Sequence, residues 1–288
     1  MSIAVSINGK IVPPEGALIS VFDRGFLYGD SVFETIRTYG GRPFALIKHL
    51  ERLERSAALV FIDLPVTQSV LAREVEELVA AAGNAESYVR VMVSRGQGEL
   101  GLDPALAGIS TRVMVAAPLQ PPAQSLYDTG VKVVTFRTQR ATDATGAEGA
   151  KVGNYLTGVL AMREAKKVGA VEALIVDAKG RIIEGATSNV FWVQEGTLFT
   201  PPVEVGILAG ITRAYVIEVA KTLELPVRQV APKQRELLKA DEVFISSSIR
   251  ELLPVVEVDG KTIGSGKPGP ITRRLHTEFR RLVSSDLV

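Results

Sequence analysis

Apolar and polar positions alternate from Ile3 to Ile7, break at Asn8-Gly9 and alternate again from Lys10 to Val12, which predicts a hairpin with a tight turn. A loop with Pro13, Pro14 and Gly16 follows. In DSVFETIRTYGGRPFAL, residues 30–46, a strand carries Val32, Glu34, Ile36 and Thr38 on one face and Phe33, Thr35, Arg37 and Tyr39 on the other, then turns at Gly40-Gly41 into a second strand. One face therefore mixes polar groups with aromatic rings, as a solvated surface or the floor of a pocket would. The period lengthens at Leu50, Leu53, Ala57 and Val60, and again over 70–82, which predicts two helices. YVRVMVSR, residues 88–95, alternates as a strand. Further on, the pattern predicts a strand over 131–137, a helix after residue 151, and short strands punctuated by Lys179-Gly180 and Glu195-Gly196. A helix from about Thr212 to before Pro226, a strand in DEVFISSS and a last helix near 271–282 complete the pattern.

A chain of 288 residues exceeds one ordinary core, and its most proline-rich piece, PLQPPAQ at 118–124, has the composition of a semi-rigid linker. The expected organisation is a small N-terminal domain over 1–117, an interdomain loop over 118–127 and a larger C-terminal domain over 128–288. With 33 basic and 32 acidic side chains and no single-sign block, nothing marks a nucleic-acid or membrane surface. No apolar run is long enough for a bilayer and MSIAVSINGK lacks the pattern of a signal peptide, so a cytoplasmic location is expected. Cysteine is absent and His49 and His276 are the only imidazoles, which disfavours disulfides, thiolate chemistry, a metal centre or a serine triad. Lysine or carboxylate chemistry remains.

GQGELG, residues 96–101, matches the dinucleotide fingerprint, but LDPALAG follows, and Pro104 and Gly108 limit any helix to about one turn. A glycine-rich loop is the better reading. A dinucleotide-dependent oxidoreductase rests on this stretch alone, and a non-catalytic binding protein is the other reading of a different class. GAKVGNYLTGVLAMREA, residues 149–165, sets Lys151 among glycine and alanine ahead of a helix. It is either a solvated charge at a helix start or an amine in a desolvated pocket, able to attack a carbonyl. Four further features could serve a phosphorylated carbonyl cofactor: the helix start at Gly210 to Thr212, the hydroxyls of Ser246, Ser247 and Ser248, Arg52, and Glu184. Each alone has an ordinary reading as a cap, a turn or a surface charge.

GAKVGNYL, EALIVDAKGRIIEGATSNVFWV and TPPVEVGILAGITR, in that order, resemble the class IV aminotransferases, the fold-type IV enzymes that use pyridoxal 5'-phosphate. The resemblance implies the α/β (α+β) D-amino acid aminotransferase-like fold. In that fold two α/β domains are joined by a short loop, the cofactor lies between them, and a homodimer or higher homo-oligomer completes the site. It identifies Lys151 with the Schiff-base lysine that also shuttles the proton, Glu184 with the partner of the pyridine nitrogen, and Tyr155 with the partner of the ring hydroxyl. Arg52, Ile211, Thr212, Ser247 and Ser248 would hold the phosphate, with Leu208 against the ring. Tyr28, Phe33, Arg37, Tyr88 and Arg90 match positions that shape the substrate pocket of branched-chain aminotransferases, and RGQGELGLDP looks like their loop. The arginine and histidine by which D-amino acid aminotransferases take a carboxylate in that loop are absent. Two departures stand out: Thr35 replaces a glycine, in a version similar to some aminodeoxychorismate lyases, and SSSIREL replaces a small-residue turn, so that Arg250 points into the pocket or into solvent. The implied reaction exchanges an amino group between a branched-chain L-amino acid donor and a 2-oxo acid acceptor, 2-oxoglutarate. D-amino acid or (R)-amine transamination and aminodeoxychorismate lysis stay open.

Overall fold

The computed structural model describes residues 2–138 and 145–286. They form two compact units, the first with residues 2–120 and 145–154, the second with 121–138 and 155–285. The segment that carries Lys151 thus has its contacts in the first unit, although the linker precedes it in the chain.

In the first unit, β1 (Ala4–Ile7) and β2 (Lys10–Val12) make the expected hairpin, with Asn8 and Gly9 both at positive φ. α1 (Arg24–Tyr28), not anticipated from periodicity, is one short turn whose Asp23 cap accepts from the Gly25 amide and which ends at left-handed Gly29. There follow β3 (Ser31–Tyr39), β4 (Arg42–Pro43), α2 (Leu46–Leu59), α3 (Gln68–Ala82), β5 (Ser87–Ser94) and β6 (Thr111–Pro118). The strands form one sheet in the order β2-β1-β6-β5-β3-β4, antiparallel throughout. Leu50, Leu53 and Ala57 of α2 and Leu71, Val75 and Leu78 of α3 bury the face that presents Val32, Ile36, Val89 and Val91. Burying that apolar stripe stabilises the unit at about 25 cal/mol per Å².

In the second unit, α4 (Gln124–Thr129) opens inside the expected interdomain loop, because Tyr127 finds a buried place, stacked 5.0 Å from His276 with its hydroxyl donating to the Arg250 carbonyl. Then come β7 (Val131–Arg137), α5 (Leu156–Lys167), β8 (Glu172–Val176), β9 (Ile182–Gly185), β10 (Asn189–Gln194), β11 (Thr197–Thr200) and α6 (Ile211–Thr222). β12 (Val227–Gln229), α7 (Gln234–Leu237), β13 (Glu242–Ser247), β14 (Glu251–Val258), β15 (Lys261–Thr262) and α8 (Pro270–Asp286) follow. The sheet runs β12-β11-β10-β13-β14-β7-β8-β9, with β15 beside β14. Val190, Trp192, Val243 and Ile245 build the core on one face. On the other face Phe191 and Phe244 stack at 4.9 Å, and α6 packs on β13.

Candidate active site

β3 sorts its residues as alternation dictates. In the first unit its outer face pairs Phe33 with Met92, Thr35 with Arg90 and Arg37 with Tyr88 across β5. The Phe33 ring is buried, and the Arg90 guanidinium lies over it at 3.8 Å from the centroid. Among the described residues no carboxylate pairs with Arg90. Arg37, by contrast, is buried and paired with Glu86, Nε donating at 3.0 Å and Nη2 at 2.7 Å, with its guanidinium 4.5 Å from the Tyr39 ring. Tyr88 and Thr35 are half-buried beside it. Tyr28 closes α1, and its hydroxyl accepts from the Gly101 amide at 3.1 Å, which ties it to the glycine-rich loop.

Residues 151–153 run along the start of β3. The Phe33 amide donates to the Lys151 carbonyl at 3.0 Å, Val152 bridges Val32, and the Gly153 amide donates to the Ser31 carbonyl at 2.7 Å. A Cβ on Gly153 would stand 2.1 Å from Ser31 Oγ, so this pairing requires glycine. At this position, then, the small residue next to Lys151 answers to a close approach to β3. The Lys151 amide donates to the buried Ser56 hydroxyl of α2 at 3.1 Å, and its Nζ stands 4.5 Å from the Phe33 centroid. Lys151 is half-buried against an aromatic ring, not a solvated charge.

The inner face of β3 holds Glu34, fully buried, and α2 supplies its partners one turn apart. Arg52 donates to it through Nε and Nη2, both at 2.7 Å, and His49 Nδ1 lies 2.8 Å from the same carboxylate. Burial pushes the Glu34 pKa up, but the hydrogen bonds and charges of Arg52 and His49 outweigh it and hold it at about 2. Burial lowers the pKa of His49; Glu34 opposes the shift, and the charges of Arg52 and Lys151 add to it. Sequence reading saw Arg52 and missed its two companions as a group. The signal was present, since a carboxylate at the centre of an apolar strand face needs a buried partner.

In the second unit, Glu184 sits near the end of β9, half-buried, and its Oε2 accepts from the Leu208 amide at 3.1 Å. Asn189 Nδ2 donates to the Leu208 carbonyl at 3.0 Å, and a Cβ on Gly210 would come within 1.9 Å of Asn189 Oδ1. The turn before α6 is therefore pressed onto β9 and β10. α6 begins with no side-chain cap at Gly210, leaving its first amides, at the buried Ile211 and Thr212, for another acceptor. Ser246 pairs with Asn189 in register and shares its face; its Oγ is buried with no hydrogen-bond partner among the described residues. Ser247 Oγ accepts from the Arg250 amide at 3.2 Å, and Ser248 is half-buried in the same turn. Tyr155 caps α5, its ring beside Gly158. Arg250 is not simply solvated: its Nη1 donates to Glu172 at 2.7 Å and to Thr187 at 3.1 Å, drawn there by a fully buried carboxylate. Glu172, Thr187 and Asn189 escaped sequence reading.

The chain matches the family model described as Amino-transferase class IV over residues 31–258. It is 39% identical over 276 residues, 96% of this chain and 95% of the relative, to a putative branched-chain-amino-acid aminotransferase of Methanocaldococcus jannaschii. It is 33% identical over 287 residues, 98% of each, to a D-alanine aminotransferase of Bacillus licheniformis. The crystal structure of the branched-chain amino acid aminotransferase of Escherichia coli superposes with a TM-score of 0.91 at 32% identity, covering 98% of this chain and 95% of that one. The fold and these matches define a pyridoxal phosphate-dependent transaminase. The chain belongs to the class IV aminotransferases, close to the branched-chain aminotransferases. Its substrates are accordingly small amino and oxo acids. The residues of the second unit fit the cofactor on their own evidence: the uncapped amides of α6 and the unpartnered Ser246 hydroxyl suit a phosphate, and the Glu184 carboxylate suits a protonated ring nitrogen. No helix among the described residues is long and apolar enough to cross a membrane.

Proposed function

We propose that the enzyme exchanges an amino group between a branched-chain L-amino acid and 2-oxoglutarate, with Lys151 carrying the covalent link to the cofactor. The observation behind this reading is that two cations share one ring. Lys151 Nζ stands 4.5 Å and the Arg90 guanidinium 3.8 Å from the Phe33 centroid, so a nucleophilic amine and a carboxylate-binding group with no acid partner among the described residues flank the same aromatic surface. When bound, pyridoxal phosphate supplies the electron sink for the breaking Cα–H bond. Once the substrate amine has taken its place on the cofactor, Lys151 Nζ would be a primary amine, able to accept the proton from the substrate α-carbon and to give it back. Glu184 favours the protonated pyridine nitrogen and Tyr155 hydrogen-bonds the ring hydroxyl. Leu208 supplies apolar contact, while Arg52, Ser247, Ser248 and the Ile211 and Thr212 amides hold the phosphate. Arg90 takes the substrate carboxylate, and Phe33, Thr35, Tyr88 and Tyr28 shape the pocket, with Arg37 fixed at its edge by Glu86.

A screen of half-reactions, followed by the absorbance of the bound cofactor, tests this on L-leucine, D-alanine, (R)-1-phenylethylamine and aminodeoxychorismate. L-leucine is expected to react fastest, and Arg90→Ala to raise KM for 2-oxoglutarate most. The kinship with a D-alanine aminotransferase makes D-substrates the main competitor; a clear preference for one, or for an amine, or release of p-aminobenzoate as the fastest reaction, overturns the branched-chain assignment.

The working form is a homodimer in this reading. Val21, Phe22, Phe26, Leu100, Leu102 and Ile109 are each more than half exposed. They sit on two segments, one running from a loop into α1 and the other the glycine-rich loop, stitched together by the Asp23–Gln97 bridge and by the Gly98 amide donating to the Phe22 carbonyl. An apolar surface of this extent is unusual on a monomer and suits a second copy.

A further inference from the structure

We infer that Arg250 and Glu172 form a clamp that holds the serine turn at 246–250 to the end of β9, and that Arg250 is a positioning residue, not a substrate ligand. The inference rests on the proposed reading in one respect: both clamped segments carry residues assigned there to the cofactor. Glu184 lies immediately before Gly185 in the first, and Ser247 and Ser248 lie in the second.

The geometry is closed on every side. Glu172 opens β8 with no exposed surface. Its Oε1 accepts from the Ala173 amide at 3.0 Å; its Oε2 accepts from Thr187 Oγ1 at 2.6 Å, Ser188 Oγ at 3.1 Å and Arg250 Nη1 at 2.7 Å. Arg250 is the only cation paired with this carboxylate among the described residues. Gly185 leaves room for the cluster, since a Cβ there would stand 2.2 Å from Ser188 Oγ and 3.3 Å from the Glu172 side chain. On its other side the serine turn is fixed as well. The Arg250 carbonyl accepts from Tyr127, and Glu251, held at φ 52°, is bound by His276 Nε2 at 2.6 Å and Arg280 Nε at 2.8 Å. A buried carboxylate is tolerable only with its charge balanced, so Arg250 cannot leave Glu172 for a substrate without stranding it.

The holoenzyme tests it through Arg250→Ala, Arg250→Lys, Glu172→Gln and the double variant Arg250→Ala with Glu172→Gln. We expect Arg250→Ala to weaken pyridoxal phosphate binding at least about tenfold and to lower kcat, because an unpaired buried carboxylate deforms both turns. KM for L-leucine and 2-oxoglutarate should stay within about twofold and the lysine variant should fall between, while the double variant regains most of the affinity because the neutral amide needs no cation. A selective rise in KM for 2-oxoglutarate with cofactor affinity intact would make Arg250 a substrate ligand and overturn the clamp. So would a double variant no better than Arg250→Ala, or an alanine variant unchanged in every measurement. If the wild type binds no pyridoxal phosphate, the proposed function fails. The clamp is then judged by thermal unfolding, where Arg250→Ala must lower Tm and the double variant restore it.

Discussion

Lys151 and Glu34 show how a single residue's role follows from its surroundings. Lys151 has its amide on Ser56 and its amine over Phe33, so Lys151→Ala should abolish turnover and leave the unfolding temperature of the cofactor-free protein almost unchanged. Wild-type rates in that variant, measured by coupled assay, would remove Lys151 from the chemistry. Glu34 and His49 set the acid limit of stability. His49 has a folded pKa below its ordinary 6.5, so as pH falls below that value the unfolded chain takes up a proton that the buried ring does not, and stability declines. Glu34, ordinarily near 4.5 and held at about 2, adds its own loss between those values. Tm should therefore fall from pH 7 to pH 5, and His49→Gln should flatten that decline while the loss below pH 4.5 persists. A decline as steep in the variant as in the wild type, by calorimetry, would move the titrating group elsewhere.

Among the elements, the loop after β5 carries the letters of the dinucleotide fingerprint without its structure, as its flanking residues predict. GQGELG has glycine at 96 because a Cβ there would stand 1.9 Å from the Ile109 carbonyl oxygen, with φ at 91°, and at 98 because one would stand 2.3 Å from the Leu106 oxygen. These glycines serve backbone approach between two arms of a loop, and only a single turn of 3-10 helix, Pro104–Leu106, follows them. Gly96→Ala should cost roughly 2 kcal/mol or more, combining left-handed strain with a collision against backbone. Gly16→Ala, with nothing within 4 Å of the new methyl, should be close to neutral. Chemical denaturation of both variants checks the contrast; equal midpoints would mean that the loop relaxes freely.

At the scale of the molecule, the exposed apolar residues at 21–26 and 100–109 predict self-association. Phe26, 66% exposed, should lie in the contact between copies, so Phe26→Asp should shift the protein toward monomer in sedimentation without lowering the Tm of the monomer. An unshifted profile would place the interface elsewhere. Much of the architecture was legible without coordinates: the hairpin at Asn8-Gly9, the two faces of β3, the helices at 46–59, 68–82 and 211–222, and the family motifs around Lys151 and Glu184. The strands and helices depend on periodicity and turn chemistry over a few residues, which the chain carries locally, whereas the motifs were legible through their resemblance to a family. β6, β14 and α4 were not legible, nor were the partners of the charged residues. Alternation put Glu34 on the apolar face of β3, but only the packed helix brought Arg52 and His49 to it. That Arg37 pairs with Glu86 and Arg250 with Glu172 turned on residues 49 and 78 positions away. Side chains so far apart in sequence become neighbours only when sheets and helices close on each other. A buried charge then takes whichever partner that closure supplies, because leaving it unpaired costs several kcal/mol.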